Sequence, residues 1–281
     1  MTMHGIWRLR TRTIDLQHRP CLMGILNVTP DSFSDGSRYS DIDAAVGKAL
    51  EMEASGADII DVGGESTRPS AAPVDEEEEL RRVIPVIQAL SRRLSIPLSI
   101  DTYKSRVARE ALQAGAEIVN DVSAFSFDPG MAGVVAEIGA GVVLMHTRGR
   151  PTEMQHDTCY VDLVGEIVES LRRSVDMACA AGISPDRVVV DPGIGFGKDL
   201  QGNLTLLNRL DAFATLGYPI LVGTSRKSFI GTLLGRSPDN RLFGTAATVC
   251  LALAKGADVF RVHDVREMRD VLDMAAAVLR A

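Results

Sequence analysis

Polar side chains stand at the ends of eight short apolar runs in the sequence, and their types suit chemistry. They are Asn27, Asp61, Asp101, Asn120 with Asp121, His146, Asp191, the segment Ser225-Arg226-Lys227, and Arg261 with His263. Burying one such group without a partner costs about 1–3 kcal/mol or more. Polar ends on all eight runs are therefore hard to explain by structure alone. We expect these groups to pair with one another, with water or with a ligand.

The last apolar run ends in two groups that suit an anion. Side chains two residues apart in a strand share a face, so Arg261 and His263 point the same way while Val262 points to the helices. Lys227 lies just beyond the preceding run. An anion site is predicted here; the alternative is that Arg261 pairs with a carboxylate of the core. Lys227 could instead form a Schiff base, but its neighbour Arg226 and the Arg261/His263 pair favour anion binding.

Two glycine-containing segments resemble phosphate-binding loops without matching them. The segment DPGIGFGKD has Pro192 where a Walker loop requires its first Gly, and Asp199 where it requires Ser or Thr. The segment LVGTSRKS lacks the Gly-Lys pair altogether. The glycines are better suited to a close backbone approach to a flat ligand, or to a tight turn after Asp191.

Two long loops without periodicity follow the first two apolar runs. TPDSFSDGSRYS contains Phe33, and GESTRPSAAP contains Thr67, Arg68 and Pro69. Long structureless loops in a compact domain are usually functional. We expect both loops to close over a ligand.

The apolar runs alternate with amphipathic segments, and this alternation predicts the architecture that positions the polar ends. The runs are CLMGILNV, DIIDVG, PLSIDT, EIVNDVS, VVLMHT, VVVDPG, PILVGTS and VFRVHD. Strands too apolar to face water indicate parallel strands covered by helices. A doubly wound sheet would also fit. Eight units, and no GxGxxG after the first strand, favour an α/β (β/α)8 TIM barrel whose strand ends meet at one mouth.

Helix starts and the N-terminal segment are predicted as well. Asp75 followed by Glu78 has the capping-box pattern, and Asp128 before Pro129 predicts an N-cap. The acidic run from Asp75 to Glu79 is interpreted as a solvated first turn. Residues 1–20 are expected to form a short β-ribbon packed on the outside or the bottom of the barrel, and residues 21–281 a single domain.

Composition narrows the class of protein. The chain has 281 residues, 46% of them hydrophobic, and a net charge of −7, so it carries no basic footprint for nucleic acid. No apolar run is long enough for a bilayer, and the N-terminus does not resemble a signal peptide. Four cysteines and five histidines show no metal-binding spacing, which indicates reduced thiols in a cytoplasmic protein.

Together these motifs resemble the dihydropteroate synthase family of the folate pathway, over about residues 21 to 264. The resemblance rests on MGILNVTPDSFSDG, GADIIDVGGESTRP, SIDT, VNDVS, DPGIGFGK, SRKSF and RVHD, in the family's order. It implies a transferase in which 4-aminobenzoate displaces diphosphate from a dihydropterin hydroxymethyl diphosphate, giving 7,8-dihydropteroate. It also implies Mg²⁺ as cofactor and a homodimer.

The resemblance further implies a role for each matching residue. The pterin-binding set is Asp101, Asn120, Met145, Asp191 and Lys227, of which Asp101, Asp191 and Lys227 are catalytic. The diphosphate-binding set is Asn27, which also holds Mg²⁺, with Thr67, Arg261 and His263. The lids and the aminobenzoate site comprise Phe33, Thr67, Arg68, Pro69, Phe196 and Ser228.

The family's mechanism implies that diphosphate leaves first and that a pterin-stabilised cation is then trapped by the aniline nitrogen. A carboxylate near the ring, with Asp101 the best candidate, would stabilise the cation, and the lids would exclude water. Three alternatives stay open at this point: a corrinoid-linked pterin methyltransferase domain, a pterin binder without turnover, and a Schiff-base aldolase.

Overall fold

The computed structural model describes residues 5–29, 38–67 and 71–281, with side chains from residue 42 onward in the second range. The predicted lid residues Phe33, Arg68 and Pro69 lie outside these ranges. The described chain begins with an antiparallel ribbon of β1 (Ile6–Arg8) and β2 (Thr13–Asp15).

Eight parallel strands form a barrel after the ribbon. They are β3 (Cys21–Asn27), β4 (Ile59–Gly63), β5 (Leu98–Asp101), β6 (Ile118–Asp121), β7 (Gly141–Met145), β8 (Val188–Asp191), β9 (Leu221–Val222) and β10 (Val259–Val262). Their spatial order is β8-β7-β6-β5-β4-β3-β10-β9. A parallel bridge between Val190 and Ile220 joins β8 to the segment before β9 and brings the barrel close to closure. The predicted TIM barrel is confirmed.

Helices surround the strands. They are α1 (Arg38–Ala54), α2 (Glu76–Leu90), α3 (Ser105–Ala114), α4 (Met131–Ile138), α5 (Leu163–Ala180), α6 (Leu200–Asn208), α7 (Ser228–Leu234), α8 (Leu242–Ala254) and α9 (Val265–Arg280). Both α7 and α8 follow β9, so this unit carries one helix more than the simple repeat requires. No helix in the described ranges is both long enough and apolar enough to cross a membrane.

Strand alternation separates the core into two layers. Outward residues such as Val62, Ile100 and Val262 are buried in the apolar layer beneath the helices. Inward residues of the lower barrel form a second cluster with the ribbon: Trp7, Leu9, Leu16, Cys21, Met23, Ile59, Ile118, Val143, Val189, Leu221 and Val259. The ribbon therefore closes the N-terminal end of the barrel and leaves the opposite end for the polar strand ends.

The helix starts agree only in part with the predictions. Asp75 caps α2 and accepts a hydrogen bond from the Glu77 backbone N–H at 2.9 Å, as the sequence predicts, but Glu78 bonds Arg82 at 2.7 Å. The predicted N-cap at Asp128 is wrong, because α4 begins after Gly130. The Asp128 carboxylate instead accepts from the backbone N–H groups of Gly130 and Ser105, at 2.8 and 2.7 Å.

Candidate active site

The mouth of the barrel is built around an arginine held between two carboxylates. Arg261 on β10 donates from Nε to Asp61 at 2.6 Å and from Nη2 to Asp101 at 2.7 Å. Asn120 on β6 donates to the same Asp61 oxygen at 3.0 Å. Arg261 thus has the carboxylate partners that the sequence analysis left as an alternative. Asp61, which the sequence marked only as a polar strand end, lies at the centre of the cluster.

The cluster retains hydrogen-bonding capacity. Within the described residues, Oδ1 of Asp61 and Oδ1 of Asp101 are buried and have no hydrogen-bond partner. Burial raises the pKa of Asp101 to about 7; Arg261 opposes the shift, and Asp61 adds to it. Two buried carboxylates sharing one guanidinium form an acceptor-rich surface, which suits a ligand with several N–H donors.

A lysine and an aspartate face each other across the mouth. Asp191, at the end of β8, accepts from the Gly193 N–H at 2.7 Å, and burial raises the pKa of its carboxyl although Lys227 lowers it. Lys227 donates to the carbonyl oxygen of Ile194. Burial lowers the pKa of Lys227 to about 8, while Asp191 acts in the opposite direction. The predicted tight turn after Asp191 is present, with Gly193 at φ +70°.

Apolar side chains flank these polar groups. Met145 at the end of β7 clusters with Tyr103 and Val122, and Phe127 and Phe196 pack against them. Lys227 Nζ lies 4.6 Å from the centroid of the Phe196 ring. The mouth therefore combines in-plane polar groups with a flat apolar wall, which suits a heterocycle.

The remaining predicted residues surround this centre. Asn27 Oδ1 and an Asp101 carboxylate oxygen both lie close to Gly63. A Cβ atom added to Gly63 would be 3.9 Å from the Asn27 oxygen and 3.6 Å from the Asp101 oxygen. Thr67 is half-buried immediately before residues 68–70, and Ser228 is exposed at the start of α7. His263 Nδ1 lies 2.9 Å from the Ser225 hydroxyl.

Arg226 is occupied by a structural interaction. Its Nε donates to Asp264 at 3.0 Å, and its backbone adopts the left-handed region with φ +57°. The support of Arg226 for an anion site stays a prediction. In the structure its guanidinium ties the loop after β9 to the end of β10.

Two other polar strand ends are structural as well. Asp121 accepts from the backbone N–H groups of Ser123 and Phe125, at 2.8 and 2.7 Å. His146 Nδ1 lies 2.9 Å from Lys198 Nζ. The expected partners are other strand ends, water or a ligand; Asp121 is instead bonded by its own loop, and His146 lies against Lys198 between β8 and α6.

A buried ionic network, which no sequence signal indicated, anchors the second long loop. Glu65 accepts from the Tyr103 hydroxyl at 2.7 Å, from the Val74 N–H at 3.1 Å and from Lys104 at 2.6 Å. Lys104 also donates to Glu79, which is only 1% exposed. The solvated first turn predicted for α2 is therefore wrong at Glu79. Acidic residues after a helix start gave no signal that one of them would turn inward.

The donor set at the mouth can be compared with what Mg²⁺ requires. Among the described residues, no three His, Cys, Asp or Glu side chains are arranged to hold a metal ion. Magnesium commonly keeps waters and binds through one or two protein oxygens together with substrate phosphates. The Asn27 oxygen beside the arginine-carboxylate cluster fits that mode of binding.

Comparison with known proteins places these features in a family. The model of the pterin binding enzyme family matches residues 23–263. The chain is 49% identical over 267 residues to dihydropteroate synthase of Synechocystis sp., covering 95% of this chain and 92% of the relative. Two solved structures of Xanthomonas albilineans dihydropteroate synthase are also similar. The one with 4-aminobenzoic acid has a TM-score of 0.93 and 44% identity, covering 99% of this chain and 100% of that one. The one with 7,8-dihydropteroate has a TM-score of 0.89 and 42% identity, covering 98% and 99%.

Proposed function

Because the chain belongs to the dihydropteroate synthase family of pterin-binding enzymes, we propose that it condenses (7,8-dihydropterin-6-yl)methyl diphosphate with 4-aminobenzoate. The products are 7,8-dihydropteroate and diphosphate. The relatives named above are synthases, which favours this transferase activity over the methyltransferase alternative.

The observation that carries the assignment of roles is the buried cluster of Asp61, Asp101, Asn120 and Arg261. Its unpartnered carboxylate oxygens can accept from the amino and ring N–H groups of a pterin. Asp191 and Lys227 hold the ring from the other side of the mouth, and Met145 supplies the apolar wall. Asp61 joins the pterin set, to which the sequence analysis did not assign it.

The leaving diphosphate meets Asn27, Thr67, Arg261 and His263. A guanidinium has five N–H donors, so Arg261 can bind an anion while it keeps its carboxylate partners. Mg²⁺, held by Asn27 together with the substrate, would neutralise the charge that develops on the leaving group. Asn27 orients the diphosphate, and His263, placed by Ser225, donates to it.

Departure of diphosphate leaves positive charge on the pterin. The Asp101 carboxylate stabilises this charge through space, since it is buried and therefore weakly screened. The C–O bond to diphosphate breaks first, with both electrons going to the leaving group. The aniline nitrogen of 4-aminobenzoate then attacks the methylene carbon and releases one proton to water or to the diphosphate. Phe196 and Ser228, with Thr67, form the aminobenzoate side of the mouth. Phe33, Arg68 and Pro69 are proposed to complete it.

We further propose a homodimer built on the C-terminal helices. Of the large apolar side chains exposed in the described ranges, most lie on α7, α8 and α9: Leu233, Leu234, Phe243, Leu251, Met274, Val278 and Leu279. Phe243 is 85% exposed. Exposed apolar side chains concentrated on three successive helices favour an interaction site, and a second copy covers it symmetrically. Light scattering should give the mass of a dimer for the wild type and of a monomer for Phe243→Asp. A monomeric wild type would contradict the proposal.

A cytoplasmic location is proposed from the thiols. All four cysteines are free, and Cys21 is buried. Unpaired thiols are typical of reducing compartments. Cell fractionation with an antibody to the chain tests this location.

The experiment that tests the function measures diphosphate release from the pterin substrate with Mg²⁺, with and without 4-aminobenzoate. Release that depends on aminobenzoate and yields dihydropteroate is the expected result. Slow release without aminobenzoate would also support departure of diphosphate before attack. A folded protein that binds pterin and releases no diphosphate would overturn the synthase assignment.

A further inference from the structure

A buried lysine beside the active site has no role in the reaction described so far. Lys198 lies at the end of the β8–α6 loop and is only 3% exposed. Its Nζ lies 3.0 Å from the Pro192 carbonyl oxygen, 2.9 Å from that of Gly193 and 3.3 Å from that of His146. The fourth neighbour is Nδ1 of His146 at 2.9 Å. No carboxylate of the described residues is hydrogen-bonded to this amine.

The surroundings of Nζ determine the protonation of both side chains. Burial lowers the pKa of Lys198 well below its usual value, but its four neighbours are three carbonyl oxygens and one ring nitrogen, and Asp191 raises it. An ammonium has three N–H donors and no lone pair, so it can donate to three of these four acceptors at a time. Burial and the nearby Lys198 also lower the pKa of His146 to about 2. His146 is accordingly neutral, and a Lys198 ammonium beside Nδ1 requires the ring proton to be on Nε2.

The oxygens that Lys198 gathers belong to the turn that carries Asp191. The Gly193 N–H donates to Asp191, and the next carbonyl, that of Ile194, accepts from Lys227. A Cβ at Gly193 would lie 1.9 Å from the His146 carbonyl oxygen, so the turn is pressed against the end of β7. The ammonium lies between these two segments.

We propose that Lys198 is a positioning residue for pterin binding, which draws the carbonyl groups of Pro192 and Gly193 toward His146 and so sets the Asp191 carboxylate and the Ile194 carbonyl in the mouth. The inference rests on the proposed pterin-binding roles of Asp191 and Lys227. It assigns no contact between Lys198 and substrate.

The second half of the same loop is anchored separately. Asn203 accepts from the Gly195 N–H at 2.6 Å, and Gln155 donates to the Gly195 carbonyl at 3.0 Å. The Tyr160 hydroxyl donates to the Gly197 carbonyl at 2.9 Å. The N–H of Phe196, proposed for the aminobenzoate site, shares the Gly193 carbonyl with Lys198 at 3.1 Å. Its neighbours Gly195 and Gly197 are held by contacts that do not involve the Lys198 amine. Loss of Lys198 should affect the two substrates unequally.

The first test is spectroscopic and uses the wild-type protein without substrate. Nitrogen-15 NMR of the histidine rings, with His146→Gln to assign the signal, should show His146 protonated on Nε2 and unprotonated on Nδ1 from pH 8 down to pH 5. A His146 that is protonated on Nδ1, or that titrates near its ordinary pKa, would overturn the proposal. This result does not depend on turnover.

The second test compares variants kinetically. Lys198→Met should raise the KM for the pterin substrate about tenfold or more, by analogy with groups that orient a metal-binding side chain, and change the KM for aminobenzoate much less. Tyr160→Phe, which removes the hydrogen bond to the Gly197 carbonyl on the other half of the loop, should show the reverse pattern. Lys48→Met, which removes the same charge from the exposed face of α1, is the matched control and should change neither.

Equal changes in both KM values for Lys198→Met would contradict a positioning role in pterin binding. If that variant does not fold, His146→Leu removes a single acceptor and should give the same inequality, smaller in size. Calorimetry with 6-hydroxymethyl-7,8-dihydropterin separates this inference from the synthase assignment. Unchanged pterin affinity in a folded Lys198→Met would overturn the inference, whether or not the enzyme turns over.

Discussion

At the level of single residues, the mouth contains buried polar groups that lower the stability of the fold and are available to a ligand. Asp61 and Asp101 share one guanidinium, and each leaves one buried oxygen without a partner in the described chain. An unpaired buried acceptor destabilises the native state. The raised pKa of Asp101 also indicates destabilisation, because ionising a carboxyl with a raised pKa makes the native state less stable.

Asp101→Asn should therefore separate turnover from stability. Asparagine resembles the protonated acid, so the variant should keep the fold and lose most of its turnover, by a factor of about 10² or more. Because the pKa of Asp101 is raised in the folded protein, its ionisation destabilises the native state above pH 7. This destabilisation decreases as the pH falls toward 4. Thermal unfolding should show a variant at least as stable as wild type at pH 8, with a smaller advantage at pH 5. Wild-type turnover from this variant would contradict the role of Asp101.

The pH dependence of kcat/KM for the pterin substrate should be bell-shaped. Asp101 acts as the carboxylate, so activity rises through its pKa of about 7, and the raised pKa of Asp191 adds to the same limb. Lys227 acts as the ammonium, so activity falls through its pKa of about 8. These groups titrate together, and the limbs report macroscopic values. Lys227→Arg should remove the alkaline limb; a limb that persists would contradict its assignment to Lys227.

At the level of elements, the loops are held by buried charges that join successive βα units. Lys104, at the start of α3, bridges Glu65 after β4 and Glu79 in α2. The partly exposed pair of Arg226 and Asp264 joins the loop after β9 to the end of β10. These ion pairs fix the ends of the loops that supply the substrate sites.

Lys104→Met should destabilise the protein and weaken the use of aminobenzoate. It leaves two buried carboxylates without their cation, and breaking such a pair costs about 3–5 kcal/mol. The segment that leads to Thr67 then loses its anchor, so the KM for aminobenzoate should rise. Arg106→Met is the control, since its pairs with Glu76 and Glu77 are exposed and worth about 0–1 kcal/mol. Urea unfolding and steady-state kinetics measure both effects; equal destabilisation by the two variants would disprove the anchor.

On the scale of the whole molecule, the two ends of the barrel have separate tasks. The ribbon covers the N-terminal end through Trp7, Leu9 and Leu16, and the Trp7 indole donates to the Arg187 carbonyl at 2.9 Å. We propose that ribbon and barrel form a single folding unit. The polar strand ends lie at the other end of the strands, where they are free to be selected for binding.

Trp7→Ala should lower stability without changing the chemistry. Trp7 is fully buried, and truncating such a side chain costs about 3–5 kcal/mol. The kcat of the folded fraction should stay within about twofold, because the mouth is at the opposite end. Ile6→Ala on the same strand is the exposed control.

Trp7 is the chain's one tryptophan, so its fluorescence in the wild type reports the ribbon directly. A ribbon transition that precedes loss of barrel circular dichroism would contradict a single folding unit.

The barrel could be predicted from the sequence because its signals are local. Eight apolar runs separated by amphipathic segments specify strands and helices within about thirty residues each, and strand alternation assigns Val262 outward and Arg261 inward. The polar types at the strand ends, with the order of the motifs, also indicated the family.

Only the tertiary structure decided which polar residues meet. Arg261 and Asp61 are 200 positions apart, and Lys198 and His146 are 52 apart, so neither pairing is encoded in a local pattern. Glu79 looks like its solvated neighbours in the sequence, but it is buried and paired with Lys104 at the start of α3. Local periodicity fixes where a side chain leaves the backbone. Whether its charge is paired, buried or offered to a ligand depends on groups that only closure of the barrel brings together.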